Sequence, residues 1–398
     1  MKAFKLMFVA SSDYDSLKTK GVGAMLSERS EGGFFERVIS VHPLAKKSRV
    51  IPIKPGHDLV EFGFDFFRGG ASSKLLRVLY SPFYIVRAAF GIARIVHEEG
   101  IDVVRASDPY WAALVAWLGT RRSNAHFVIS VHADWDKRHQ LDPKNGAPKL
   151  FGSRGAARLL ARFLLGRAER VLCIRKSLFL PVERSGARLK ALRLIPHGVD
   201  LTSFCGPSKP TIYAPPVGCK MVLFAGRLSC ENYVDDVLEL GRRFNAREDV
   251  LIVIAGGGPE EERLKKIIDS DPVLQKKLHF LGFVSRVQVL ALRRVASVNL
   301  VLMGGYSLIE SCASGRPTVA YDVEWHSELI EDGLSGRLVP EGDVDCLVSV
   351  IGSLLDDPDY AEKIGRNGRE KAFRLHDMKK VFKIRASIYR EILGEREG

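Results

Sequence analysis

Arg227 ends an apolar run, "KMVLFAGR", and stands directly before a polar turn, Ser229 to Asn232. A guanidinium at a strand tip can grip two oxygens of a diphosphate at once. The turn after it holds no lysine, although the chain is rich in bases. Further on, "LVLMGGYSLIESCASG" sets Gly304 and Gly305 before a helix-like segment. The first N–H groups of such a helix, around Gly305 and Ser307, lack intrahelical partners and can hold a diphosphate. Glu310 lies about one turn in, where a carboxylate can accept both hydroxyls of a ribose. His132 ends "FVISVH" and can touch a substrate hydroxyl or stabilise a transition state. Gly21 and Gly23, in "TKGVGAM", offer flexible backbone to close over a sugar or phosphate. Each has a structural alternative: a surface salt bridge for Arg227, a solvated helix glutamate for Glu310, a structural role for His132, a plain loop for the glycines. "VIAGGGPEEERL" is either an anion-facing turn or a tight turn with no ligand. It is not a dinucleotide fingerprint, because acids follow its glycines. Asp108 reads as a helix cap.

These groups need strand ends to carry them. The first half alternates apolar runs ("FKLMFVA", "ERVISVH", "SRVIPI", "IDVVRAS", "AHFVISVH", "RVLCI", "ALRLIP") with helical stretches. One of these, about 75 to 98, looks interrupted at Ser81-Pro82. The second half repeats the pattern, with a helix expected over 231–247. Between them lies a stretch rich in proline and glycine. The chain therefore reads as α/β, with two doubly wound Rossmann-like domains facing a cleft. The expected boundaries are 1–205, a linker over 206–218, a second domain over 219–375, and a terminal helical segment over 376–398.

The chain has 398 residues and a net charge of +13. Its first 200 residues hold 33 Lys/Arg against 18 Asp/Glu, so the first half is expected to face something anionic. Arg154, Arg158 and Arg162 recur at i, i+4 spacing beside leucines in "SRGAARLLARFLLGRAER". That stretch and "LLRVLYSPFYIVRAAFGIARIV" can each rest on an anionic membrane, or pack on the sheet with arginines in water. No zinc finger or RNA-binding pattern favours nucleic acid. No run is long enough to span a bilayer. Six scattered cysteines fit a reducing compartment. No HExxH, Cys/His cluster, DxD or GxSxG is present, so no metal site is expected.

"IPHGVD", "FAGRLS", "VIAGGGPEEERL", "GFV", "SLIESCASGRPTVAYDV" and "HSELIEDGLSGRLVPEGD" follow one another as in family 4 glycosyltransferases of the GT-B fold, which residues 195–370 resemble. The resemblance implies a retaining, metal-independent transferase. It would move a sugar from a UDP- or GDP-sugar to a glycan or lipid-linked acceptor, in polysaccharide biosynthesis. The expected location is cytoplasmic, and the basic apolar stretches point to a peripheral position on the inner face of the plasma membrane. Arg227 and the backbone from Gly304 to Leu308 would meet the diphosphate, Glu310 the ribose, His132 the sugar, and Gly21 and Gly23 the donor from the first domain. Arg154, Arg158 and Arg162 would mark the acceptor or membrane side. The last helix, 378–392, would return to the first domain. The sequence departs from the family at two places. Asn232 stands where a lysine commonly partners the arginine, and Leu302 stands where a glutamate commonly faces the sugar. Arg316 or a first-domain base is a candidate to replace that lysine. Two other readings stay open: a non-catalytic partner subunit of a transferase, and a nucleotide-sugar epimerase.

Overall fold

The computed structural model describes residues 3–19, 23–45, 47–63, 74–134, 153–207 and 210–395. They divide into two compact units, Met1–Pro196 with Phe382–Gly398, and His197–Val381.

The first unit is built on β1 (Phe4–Val9), β2 (Phe35–Ala45), β3 (Arg49–Lys54), β4 (His57–Gly63), β5 (Val103–Ala106), β6 (His126–Val131), β7 (Arg170–Cys173) and β8 (Leu192–Leu194). Their order is β3-β4-β2-β1-β5-β6-β7-β8, parallel except for the β3–β4 pair. A parallel strand is covered on both faces, so it reads as an unbroken apolar run. In β1, Met7 and Val9 pack on one side with Ala88, Ile92 and Leu164, while Phe4 and Leu6 pack on the other with Ile388 and Tyr389. The strand β4 is not anticipated by the sequence reading. It pairs with β3 through a turn at Gly56, whose φ is +77°. The helix expected to break at Pro82 is a single helix, Lys74–Glu99, with Pro82 inside it. Burial of Ala88, Ala89, Ile92 and Val96 against the sheet outweighs the one backbone bond a proline removes.

A polar cluster is buried on this sheet. Arg29 Nη1 donates to Ser40 Oγ (2.6 Å), which also bonds His57 Nε2 (2.8 Å). His42 is fully buried, and neither of its ring nitrogens has a hydrogen-bond partner. Burial, reinforced by the Arg29 guanidinium, holds His42 down to about 3 and His57 down to about 4. Both values lie below the unfolded one, so the unfolded chain binds more protons under acid conditions. Stability carried by these histidines is therefore lost as pH falls below about 6.5. The expected loss is about 2 kcal/mol for each at pH 5. Denaturant unfolding at pH 7.5 and pH 5 checks this, because H42Q and H57Q variants should show a shallower dependence.

The second unit is wholly parallel. Its strands are β9 (Lys220–Ala225), β10 (Val250–Ala255), β11 (Leu278–Gly282), β12 (Val298–Val301), β13 (Thr318–Tyr321) and β14 (Arg337–Val339), in the order β11-β10-β9-β12-β13-β14. Both units are thus Rossmann-like α/β layers. Val199, Leu201 and Phe204 are buried with Leu308, Ile309 and Trp325 in this unit. The chain therefore enters it ahead of the proline-rich stretch at 206–218.

Candidate active site

The strand order sets the loops after β10, β9 and β12 side by side, and these loops carry most of the residues singled out above. The β9 loop is seated on the glycine loop. Gly226 N–H donates to Ala255 O (3.0 Å) and Leu228 N–H to Gly257 O (3.0 Å). A Cβ on Gly256, whose φ is +152°, would lie 1.8 Å from Gly226 O, and one on Gly258 would lie 2.2 Å from Leu228 O. The glycines are therefore required for backbone approach, which fixes the segment bearing Arg227. The Arg227 side chain is exposed and makes no hydrogen bond or ion pair among the described residues, so the surface salt bridge is not formed.

Asn232 Nδ2 donates to Arg227 O at 2.6 Å. Its amide thus locks the carbonyl of the arginine. Tyr233 follows in the left-handed region (φ 55°), and the helix expected from 231 begins only at Val234.

The helix Tyr306–Ala313 starts at Gly305 with no side-chain cap. A Cβ on Gly304 would fall 2.5 Å from Val301 Cγ1 and 2.6 Å from Ser307 Oγ, so any side chain here would push both aside. The turn is clamped by two residues the sequence reading passed over. His326 Nδ1 donates to Tyr321 O (2.7 Å), and its Nε2 accepts from Gly304 N (3.1 Å). Nε2 also lies 3.2 Å from Gly304 O, so the ring sits against both backbone groups of that glycine. Trp325 Nε1 donates to Gly304 O (3.1 Å). The signal available was a histidine just past a strand, the same signal that marked His132. Replacing His326 by alanine leaves Tyr321 O and Gly304 N without these partners. It should cost about 2–4 kcal/mol, read as a lowered unfolding midpoint.

Glu310 is buried, and its Oε1 accepts from Arg286 Nε at 2.9 Å and lies 2.9 Å from Nη2 of the same guanidinium. The solvated-glutamate alternative does not hold. Arg293, also buried, bonds Ser311 Oγ and Ala225 O. It joins the last carbonyl of β9 to the Glu310 helix, so the Arg227 and Glu310 elements share one network. Burial lowers the Arg293 pKa, and the Glu310 charge opposes that. Leu308 is fully buried and offers only its N–H. Leu302 is fully buried within the apolar core of this sheet, where it packs with Val319 and Tyr321. Arg316 donates to Arg294 O (2.8 Å) beyond the far end of the same helix, about 12 Å from its start. That position does not serve the lysine's role.

His132 follows β6 in the first unit and is half-buried. Gly23 opens the segment Gly23–Gly33 of that unit, while Gly21 lies outside the described residues. Asp108 accepts from Tyr110 N (2.9 Å), Ser11 Oγ and Ser107 Oγ, a turn-holding role; burial pushes its carboxyl up. Beside the end of β6 lies a cavity of about 470 Å³. Its walls include Tyr110, Val131, Ala133 and Leu165, and its lining also takes in Arg158, Arg162 and Arg184. Arg154 stands at the start of the same helix, Arg154–Arg167, whose N-terminus is capped by Ser153. Among the described residues, no group of three or more His, Cys, Asp or Glu is placed to hold a metal ion.

Two family profiles match the chain: "Glycosyl transferases group 1" over residues 209–371, and "Glycosyltransferase Family 4" over 63–203. The phosphatidyl-myo-inositol mannosyltransferase of Mycobacterium leprae is 31% identical over 328 residues, covering 81% of this chain and 80% of that protein. Its Mycolicibacterium smegmatis counterpart is 30% identical over 289 residues, 69% of this chain and 68% of that protein. The alpha-D-kanosaminyltransferase of Streptomyces kanamyceticus is 30% identical over 178 residues, 43% of this chain and 46% of that protein. Among solved structures, a sucrose-phosphate synthase from Thermosynechococcus elongatus has a TM-score of 0.72 at 16% identity, covering 99% of this chain and 100% of that one. At that identity the likeness speaks for the fold.

Proposed function

The chain belongs to the glycosyltransferases of group 1 and family 4, and from that premise we propose that it moves a sugar from a UDP- or GDP-sugar to a glycan or lipid-linked acceptor with retention of anomeric configuration. The observation that carries this reading is Arg227, its guanidinium without a hydrogen bond or ion pair among the described residues at the tip of β9, on a strand adjacent to the one that feeds the uncapped helix bearing Glu310. Arg227 and the N–H groups from Gly305 to Leu308 hold the diphosphate. Glu310 holds the ribose. His132 of the first unit supports the sugar as positive charge develops. The bond from the anomeric carbon to the phosphate oxygen breaks, and the diphosphate leaves with the electron pair. The acceptor oxygen bonds the same face of that carbon, and its proton passes to the departing phosphate.

Support for a lipid-linked acceptor comes from relatives named as phosphatidyl-myo-inositol mannosyltransferases. It also comes from the basic first half and the arginine-lined cavity at the end of β6. The leucine in place of a second site carboxylate argues against an epimerase, which needs an acid and a base. Transfer from a panel of UDP-, GDP- and ADP-sugars to lipid and glycan acceptors tests the reading, with the product anomer read by NMR. An inverted anomer refutes retention. Saturable nucleotide binding with no transfer from any donor favours a non-catalytic partner.

We place the chain in the cytoplasm, with its first unit on an anionic membrane face. No helix among the described residues is long and apolar enough to cross a membrane. Phe83 (71% exposed), Val86 and Phe90 (72%) fall at i, i+3, i+7 on one helix, with Arg87 exposed beside them. Such a stripe inserts into headgroups while its cation meets lipid phosphate. In flotation assays, the protein should rise with anionic vesicles and not with neutral ones, and F83S/F90S should abolish it. Equal flotation on both vesicle types removes the anionic-surface claim.

A further inference from the structure

A nucleoside diphosphate brings several negative charges, and the proposed donor site offers them few cations. Arg227 is one. Asn232 is neutral and engaged with the Arg227 carbonyl. Arg316 is engaged beyond the far end of the helix. Arg286 is differently placed. It begins the helix Arg286–Val295, which follows the β11 loop, and lays Nε and Nη2 on Glu310 Oε1. Its side chain is 58% exposed, so the ion pair rather than packing holds it there. Side chains on a helix lean toward its N-terminus, and position 310 shares a face with 306 and 307. The guanidinium is therefore carried over the first turn of Tyr306–Ala313, the turn assigned to the diphosphate.

We propose that Arg286 is a second phosphate cation of the donor site, and that Glu310 is its resting counter-ion. This rests on the donor-site reading above. As a nucleotide enters, the ribose hydroxyls take over the buried carboxylate, and the released guanidinium closes on the diphosphate. Neither charge is stranded: the carboxylate trades the guanidinium for two hydroxyls, and the arginine trades a carboxylate for a phosphate. The exchange makes ribose and diphosphate recognition interdependent. A nucleoside alone breaks the ion pair without giving Arg286 a new anion, so it binds against a penalty that the diphosphate removes.

Calorimetric titration of the full chain and of R286Q with UDP, uridine, GDP and guanosine tests this. The substitution is at an exposed side chain, and an unchanged melting temperature confirms the fold. R286Q should weaken the better-bound diphosphate at least tenfold and leave its nucleoside unchanged or tighter. A residue that only orients Glu310 would weaken nucleoside and diphosphate alike. That parallel loss, or no loss for either, overturns the proposal while the donor site stands. Failure of the unmodified chain to bind either diphosphate overturns the donor-site reading and the proposal with it.

Discussion

Replacing Arg227 by glutamine lowers kcat/KM for the nucleotide-sugar by about 10²- to 10³-fold, the range seen when one preorganised charge stabiliser is removed. The guanidinium is exposed and makes no hydrogen bond or ion pair among the described residues, so the melting temperature is expected to stay within a degree or two of the parent. The loss falls on transition-state stabilisation, because charge on the departing diphosphate grows as the bond to the sugar breaks. It therefore appears in kcat as well as in KM. Steady-state kinetics over a range of donor concentrations separates the two. A loss confined to KM would mean that Arg227 only helps the donor to bind.

Replacing Glu31 by alanine has its effect on stability, about 3–5 kcal/mol. Glu31 is 4% exposed, and its two oxygens accept from Arg105 Nη1 and Arg385 Nη1, each at 2.8 Å. Arg105 also donates to Ser130 Oγ and Tyr389 O–H, and Arg385 to Pro196 O. Without the carboxylate, two guanidiniums lose their shared anion in the interior. The segment that carries Glu31 also meets the C-terminal helix at Gly32, where a Cβ would lie 2.8 Å from the Phe382 ring. Loss of Glu31 should therefore loosen Gly23–Gly33 together with the helix end beyond Phe382. Denaturant unfolding gives the magnitude, and hydrogen exchange locates the loosened backbone. A triple variant, E31L/R105M/R385M, should recover part of the stability, because apolar replacement removes the need for pairing.

Strands such as "KMVLFA" and "VLIVIA" were legible because parallel strands buried on both faces leave little room for polar residues. The strand β4, "HDLVEFG", was not legible. Its Asp58 and Glu61 look like loop residues until Arg37 and Arg49 are found opposite them. Pro82 misled for the complementary reason: a local breaker was outweighed by an apolar face that only the folded sheet supplies. In the site, Arg227 and the Gly304–Glu310 segment were legible from local chemistry, a base at a strand tip and glycines before a helix. The partners of these residues were not. Glu31 and Arg385 lie 354 positions apart, and Arg286 reaches Glu310 across 24. No periodicity or motif encodes such pairings, because they follow from the order of the strands. The triglycine shows the same limit. Its composition fits an anion turn or a bare turn, and only the approach of Gly226 O and Leu228 O shows what the missing side chains allow.

The most direct test is a crystal structure of this chain with the nucleoside diphosphate it binds best. Diphosphate oxygens are expected within hydrogen-bond reach of the Arg227 guanidinium and the N–H groups from Gly305 to Leu308, with the ribose hydroxyls on Glu310. A nucleotide seated elsewhere, with Arg227 still in solvent and Glu310 out of reach of the ribose, would contradict this placement.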